Sequence, residues 1–173
     1  MSDFLAYIPT GTNRYRERFG LDFEQFAVGQ KFQHRPGLTL SQQDSRDECL
    51  DTLNQQMLHF DQRFATHTEW GKCLMDSTLT TKVVIGMTWK TFAKRTHLLG
   101  FDEITLTKPM FGGDTLYAES EITGKADWPD DPKVGRLKVV TQGVNQRGET
   151  VANLAYDLLI ARTGQDHFTR IDY

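Results

Sequence analysis

The segment NQQMLHFD, residues 54–61, gathers side chains that could bind water or move a proton. Asn54 stands before His59, and Asp61 follows two positions after the histidine. An imidazole titrates near pH 6.5, so His59 is a candidate general base. An amide can hold water through its carbonyl oxygen but cannot take its proton. Two interpretations stay open: a turn whose polar groups cap a helix, or a histidine at the mouth of an apolar slot that transfers protons.

Short helices are expected to position this segment. Ser41 followed by Asp44 predicts a capping box that starts a helix over QQDSRDECLDTL. Asp61 is placed to cap a second short helix, QRFATHT, by accepting backbone N–H bonds.

The most apolar helix candidate is LTTKVVIGMTWKTFAK, residues 79–94. Its apolar residues recur at helical spacing, which predicts one broad buried side. Ser77 or Thr78 is expected to cap its start.

The second half of the chain alternates apolar and polar residues, which is typical of strands. Turn residues separate the four strand segments LGFDEITLTKPM, DTLYAESEITGKADW, KVGRLKVVTQGVNQ and ETVANLAYDLLIART. An earlier segment, 22–32, predicts a first strand interrupted at Gly29. One long helix followed by antiparallel strands indicates an α+β fold in which a curved sheet wraps the helix. Such a sheet leaves the backbone N–H and C=O groups of an edge strand unpaired, and two chains commonly pair such edges in a dimer.

The length and composition fit a single cytoplasmic domain. A chain of 173 residues without repeat or linker predicts an N-terminal arm over 1–21 and one domain over 22–173. A net charge of −3 argues against nucleic-acid and anionic-membrane partners. The N-terminus lacks the features of a secretory signal, and no apolar run approaches the ~18 residues of a membrane span. Cys49 and Cys73 are interpreted as reduced thiols without metal-ligand spacing.

The stretch LNQQMLHFDQRFATHTEWGKCLMDSTL resembles the signature of the MaoC-like dehydratases, the R-specific enoyl-CoA hydratases of the hotdog fold. DFEQFAVGQKF, KPMFGGDTLYAESEI and NQRGETV are further matches in the order of the family, from about residue 22 to 163. The match looks closest to a branch that resembles mesaconyl-CoA and itaconyl-CoA hydratases.

The resemblance implies a single hotdog domain, with a long central helix wrapped by an antiparallel sheet, that forms at least a homodimer. It implies addition or removal of water across the α,β double bond of an acyl-CoA. No metal or redox cofactor is implied, since coenzyme A arrives as part of the substrate.

The resemblance also assigns catalytic positions. His59 is the implied base, and Asn54 occupies the place of the family's usual acid. The backbone N–H of Ser77, where a glycine is usual, is the implied donor to the thioester oxygen, and Asp76 stands where a histidine is common. If Asn54 positions water for His59, an Asn54→Asp variant is expected to keep or raise turnover.

Several further residues are candidates for substrate binding. Lys82 is expected either to extend into solvent or to meet a substrate carboxylate, as in a dicarboxylyl-CoA. Lys90, Lys94 and Arg95 either form a solvated helix end or bind the phosphates of coenzyme A.

Phe60, Trp70 and Met75 either line an acyl slot or belong to the core.

Two other functions remain open from the sequence. A hotdog thioesterase would need a carboxylate on the central helix, for which only Asp76 is available. A protein that binds acyl thioesters without reaction is the other alternative, because Asn54 and Asp76 depart from the family pattern.

Overall fold

The computed structural model describes residues 5–171, whose main body is a helix packed on a five-stranded antiparallel sheet. The strand order is β3-β5-β6-β7-β4, so β3 and β4 form the two edges. The strands are β3 (Lys31–Thr39), β4 (Arg95–Leu106), β5 (Thr115–Asp127), β6 (Val134–Asn145) and β7 (Thr150–Ala161). The four strands predicted for the second half of the chain are confirmed as β4 to β7.

Most helical elements lie between β3 and β4, apart from a 3-10 turn before β3 and one short helix near the C-terminus. They are α1 (Gln42–Thr52), a 3-10 turn (Met57–His59), α2 (Gln62–Ala65), α3 (Ser77–Met87), α4 (Trp89–Phe92) and α5 (His167–Arg170). α3 contacts β3, β5, β6 and β7, and it buries Leu79 and Val84 against them. The α+β prediction is therefore confirmed.

Two predicted caps are present. The Ser41 hydroxyl accepts from the backbone N–H of Asp44, whose carboxylate accepts from the N–H of Ser41, which completes the capping box of α1. The carboxylate of Asp61 accepts from the N–H of Phe64 at 3.0 Å and so caps α2. Both caps connect residues three positions apart, so the sequence alone was sufficient to predict them.

The central helix differs from its prediction. It begins at Ser77, and its cap is Asp76, whose carboxylate accepts from the N–H of Thr78 at 2.6 Å. It also ends at Met87, after which Thr88 precedes the separate short helix α4. The Thr88 hydroxyl donates to the carbonyl of Ile85 at 2.7 Å, a local bond that competes with continuation of the helix.

The predicted first strand over 22–32 is wrong. Phe23–Gln25 form a 3-10 turn, because the side chain of Gln25 accepts from the N–H of Asp22 at 2.9 Å. Gly29 adopts a positive φ of 88° in the following turn, a conformation that glycine adopts without steric strain. The strand starts only at Lys31.

The N-terminal segment forms a separate hairpin of β1 (Tyr7–Gly11) and β2 (Arg14–Glu17). It is not hydrogen-bonded into the five-stranded sheet. The division into an arm over 1–21 and a domain over 22–173 stays a prediction, and residues 1–4 and 172–173 lie outside the described residues.

Within residues 5–171, no helix is both long and apolar enough to cross a membrane.

Candidate active site

A cavity of about 280 Å³ lies between the 3-10 turn, the start of α3 and the segment that follows β4. It brings together His59 and Ser77, which the sequence had singled out for proton transfer and thioester binding. Its full lining is His59, Trp70, Leu74, Met75, Ser77, Thr80, Leu106, Thr107, Lys108, Pro109 and Met110. Most of these side chains are apolar, so the cavity suits an acyl group.

Hydrogen bonds on both sides hold His59 in place. Its ring Nδ1 lies 3.3 Å from the carbonyl oxygen of Leu74, and its own carbonyl accepts from the side chain of Gln42 at 2.8 Å. Since a carbonyl oxygen can only accept, Nδ1 carries the hydrogen. The other ring nitrogen, Nε2, is then free of its proton in the neutral imidazole, which is what a general base needs.

The walls of the cavity are joined by backbone pairing. The N–H of Met75 donates to the carbonyl of Met110 at 2.8 Å, and Leu74 forms a β-bridge with Phe111. This pairing places the Lys108–Met110 segment opposite the start of α3. The alternation in LGFDEITLTKPM predicted a strand through Met110, but β4 ends at Leu106. The partners of the following segment, Leu74 and Met75, lie far away in the chain.

Ser77 is the first residue of α3, and its side chain is exposed. The first N–H groups of an α-helix lack intrahelical acceptors and carry the positive end of the helix dipole. The Ser77 amide therefore offers a hydrogen-bond donor on the cavity that contains His59.

Asp76 does not line this cavity, although both of its neighbours do. Its carboxylate is fully buried on the side of α1, where Asn54 and Thr78 donate to it. Burial alone would raise the pKa of Asp76. The bonds from Thr78 and Asn54, with the nearby His59, outweigh burial and hold that pKa below its ordinary value.

Asn54 is also absent from the cavity lining. Its side-chain nitrogen donates to Asp76 at 2.5 Å, and its side-chain oxygen accepts from the N–H of Gln56 at 3.0 Å. This geometry does not favour the predicted role of holding water for His59, because both ends of the amide already have protein partners.

The predicted acyl-slot residues are only partly brought together. Trp70 and the buried Met75 line the cavity with His59. Phe60, the residue that ends the 3-10 turn, does not line it and is 37% exposed.

Lys82 lies on a neighbouring apolar trough between α3 and β4, about 510 Å³ in volume. Ser77 and Leu106 line both spaces, so the trough continues from the cavity. The Lys82 ammonium forms an ion pair with the buried carboxylate of Glu48, and its side chain remains 58% exposed. Glu48 is not among the predicted site residues, because in the sequence it is one of several acidic residues in the segment that forms α1.

The basic residues near the end of α4 lie away from the His59 cavity. Lys94 is nearly buried between Asp22 and Asp166, at 2.6 and 3.1 Å, so its charge is already neutralised. These two ion pairs do not favour the predicted role of Lys94 as a phosphate ligand. Lys90 is exposed beside a different groove, and Arg95 stacks over Trp89 at 5.6 Å. Neither lines the His59 cavity.

The sequence model of the MaoC-like domain matches residues 22–144, which is most of the chain. The chain belongs to the MaoC-like domain family. The recognition made from the sequence is thereby confirmed.

Curated and structural relatives agree with this family. The chain is 23% identical over 125 residues to β-methylmalyl-CoA dehydratase of Chloroflexus aurantiacus, an alignment that covers 72% of this chain and 36% of that protein. The chain thus spans about a third of the length of that relative.

Two solved structures show the fold. A Mycobacterium tuberculosis protein described as a double hotdog fold has a TM-score of 0.75 and 21% identity, over 83% of this chain and 45% of that chain. An (R)-hydratase of A. caviae involved in PHA biosynthesis has a TM-score of 0.63 and 20% identity, over 80% of this chain and 98% of that chain. The MaoC-like chain therefore has the predicted hotdog fold.

Proposed function

We propose that this MaoC-like protein is an acyl-CoA hydratase or dehydratase, which adds or removes water across the α,β double bond of an enoyl thioester. The observation that carries the proposal is the shared cavity of His59 and Ser77. It places a base and a backbone donor on one mostly apolar space. Family membership and the dehydratase and hydratase relatives support the same reaction class.

The chemistry follows from these two groups. His59 Nε2 takes a proton from water while the water oxygen adds to Cβ of the enoyl thioester. The negative charge that develops on the thioester oxygen is stabilised by the Ser77 N–H and the positive end of α3. The resulting enolate takes up a proton at Cα, and the proton held by His59 can supply it. Water addition leaves the overall oxidation state unchanged, so the reaction needs no redox cofactor.

We further propose that the acyl group is short and can carry a second carboxylate, as in mesaconyl-CoA. The small cavity supports a short acyl group. Lys82 on the adjoining trough supplies a cation within about two helical turns of Ser77. The pair with Glu48 keeps this ammonium at the wall of the trough.

We propose in addition that the protein works as a homodimer, or a larger assembly of the same chain, paired through β4. This edge strand exposes a row of apolar side chains, each between 38% and 48% exposed. The row consists of Leu98, Phe101, Ile104 and Leu106. Pairing two β4 edges would satisfy their backbone groups and cover this surface. Because Leu106 also lines the His59 cavity, the partner would lie next to the active site.

Incubation of the purified protein with crotonyl-CoA and mesaconyl-CoA tests the function. Loss of the enoyl absorbance without release of free thiol is the expected result. Release of free thiol would instead indicate a thioesterase. Binding of both thioesters without either change would indicate a binding protein without this activity. Either result would overturn the hydratase proposal.

A further inference from the structure

An amide and a carboxylate contact each other behind the active site. The side-chain nitrogen of Asn54, which follows the C-terminal end of α1, donates to Oδ2 of Asp76 at 2.5 Å. Asp76 is the residue that caps α3, directly before Ser77. Leu53, between α1 and Asn54, adopts a left-handed φ of 57°, which turns the chain there. The sequence gives no sign of this contact, because 22 positions separate the two residues.

The donors around Asp76 account for both of its carboxylate oxygens. Oδ1 accepts from the N–H and the hydroxyl of Thr78, at 2.6 and 2.5 Å. Oδ2 accepts from Asn54 and, at 3.6 Å, from the thiol of Cys49. Burial and the neighbouring Asp76 raise the pKa of this thiol to about 11, so it keeps its hydrogen and remains a donor. A buried carboxylate accepts only, and each neighbour here supplies a hydrogen.

Side chains on one face of α1 also form hydrogen bonds with the start of α3. The hydroxyl of Ser45 accepts from the N–H of Asp76 at 2.9 Å. The carboxylate of Glu48, one turn further along α1, lies 3.1 Å from the Thr78 hydroxyl, which shares its single hydrogen between Asp76 and Glu48. Glu48 also pairs with Lys82. Among the described residues, the titratable groups near Asp76 are Glu48, Lys82, Cys49 and His59. Ser45 and Glu48 thus connect α1 to the first turn of α3.

We propose that Asn54 and Asp76 form a positioning pair, which holds the start of α3 and its Ser77 amide at the correct place relative to His59. The inference rests on the proposed hydratase function. Neither residue touches the reacting atoms, since neither lines the cavity. Asn54 acts by donating to Asp76, and Asp76 acts by capping the helix whose first amide faces the thioester. The pair therefore needs one side chain that donates a hydrogen bond and one that accepts it, whichever position carries each.

This pairing reverses the expectation for Asn54→Asp that the sequence suggested. A second carboxylate at position 54 would face the Asp76 carboxylate at the distance of a hydrogen bond, with no hydrogen between them. One of the two must then take up a proton or they must separate. Separation would move the start of α3. A shift of about 1 Å in a catalytic group can cost roughly a hundredfold in rate.

The exchange of the two residues is a sharp test. In the double variant Asn54→Asp/Asp76→Asn, the amide at position 76 can still accept from Thr78 through its oxygen, since asparagine is a good helix cap. Its nitrogen can donate to the carboxylate at position 54, whose other oxygen can accept from Gln56. Every hydrogen bond between the two side chains is therefore restored in the opposite direction.

The experiment measures kcat and KM for crotonyl-CoA hydration in wild type, both single variants and the double variant. We expect kcat to fall at least about tenfold in each single variant and to recover in the double variant to within about threefold of wild type. Binding of the unreactive butyryl-CoA should change less than about threefold throughout. Asn153→Asp, which adds the same charge on the outer face of β7, is the matched control and should keep wild-type kcat.

The comparison of kcat with butyryl-CoA binding separates positioning from simple folding, because a misfolded variant would lose binding together with kcat. Asn54→Ala removes the donor without adding a charge, and it should lower kcat even if Asn54→Asp fails to fold.

The outcomes are distinguishable. Wild-type kcat in both Asn54→Ala and Asn54→Asp, or a double variant no faster than the slower single variant, would overturn the positioning pair. Absence of hydration in the wild type would overturn the proposed function instead.

Discussion

The carbonyl of Leu74 fixes the ring of His59, because Nδ1 lies 3.3 Å from that oxygen and must carry the hydrogen. Leu74 is itself bridged to Phe111, so the base is held by a backbone pairing rather than by a flexible side chain. A base fixed in this way can use Nε2 for proton transfer without a carboxylate to orient the ring.

Replacement of His59 by alanine should lower the rate of crotonyl-CoA hydration by at least ~10²-fold, the low end for loss of a general base. The matched control is His67→Ala, an exposed histidine near α2 that does not line the cavity. Steady-state kinetics with thermal melting of both variants checks the prediction. Full activity of His59→Ala would show that His59 has a packing role only.

Lys82→Met should separate dicarboxylyl from simple acyl substrates. If the ammonium meets a substrate carboxylate, kcat/KM for mesaconyl-CoA should fall at least about tenfold, while that for crotonyl-CoA changes less than about threefold. Lys31→Met is the matched control, since Lys31 also pairs with a glutamate, Glu121, on the edge strand β3. An equal loss for both substrates would show that Lys82 only supports Glu48.

The β4 edge predicts a dimer in solution. Light scattering at micromolar concentration should give at least twice the mass of the 19.8 kDa chain. Ile104→Asp places a charge in the middle of the apolar row and should shift the mass toward one chain. Val28→Asp, at an exposed apolar residue in a loop, should leave the mass unchanged. A monomeric wild type would contradict the prediction.

His34 predicts a pH dependence of stability. It is buried, with its ring Nε2 2.8 Å from the Ser120 hydroxyl, and burial together with Arg35 lowers the pKa of its imidazole from 6.5 to about 4. The unfolded chain therefore binds a proton more readily than the folded one between these values. The contribution of His34 is complete above about pH 6.5 and is lost as the pH falls toward 4, by up to about 3 kcal/mol.

Denaturant unfolding of wild type and His34→Gln at pH 7, 5.5 and 4.5 measures this effect. The free energy of unfolding should fall less steeply with decreasing pH in the variant, because the titrating group is absent. His67→Gln, which removes an exposed histidine, should follow the wild type. Parallel curves for wild type and His34→Gln would contradict the prediction.

The sequence by itself determined the elements whose causes are local. The Ser41–Asp44 box and the Asp61 cap join residues three positions apart, and alternation along β4 to β7 follows from the two-residue period of a strand. The family motif then identified the fold and the pairing of His59 with the start of α3. Over 22–32 the residue pattern predicted a strand, but the segment begins with a 3-10 turn.

Only the tertiary structure decided which side chains meet. Asn54 reaches Asp76, Glu48 reaches Lys82 and Lys94 reaches Asp166, in each case across more than one element. These contacts depend on how α1, α3 and the sheet pack, and no periodicity in the chain encodes that geometry. The physical reason is that a buried charge needs a partner, but the sequence does not say which of several polar residues packing brings within hydrogen-bond distance.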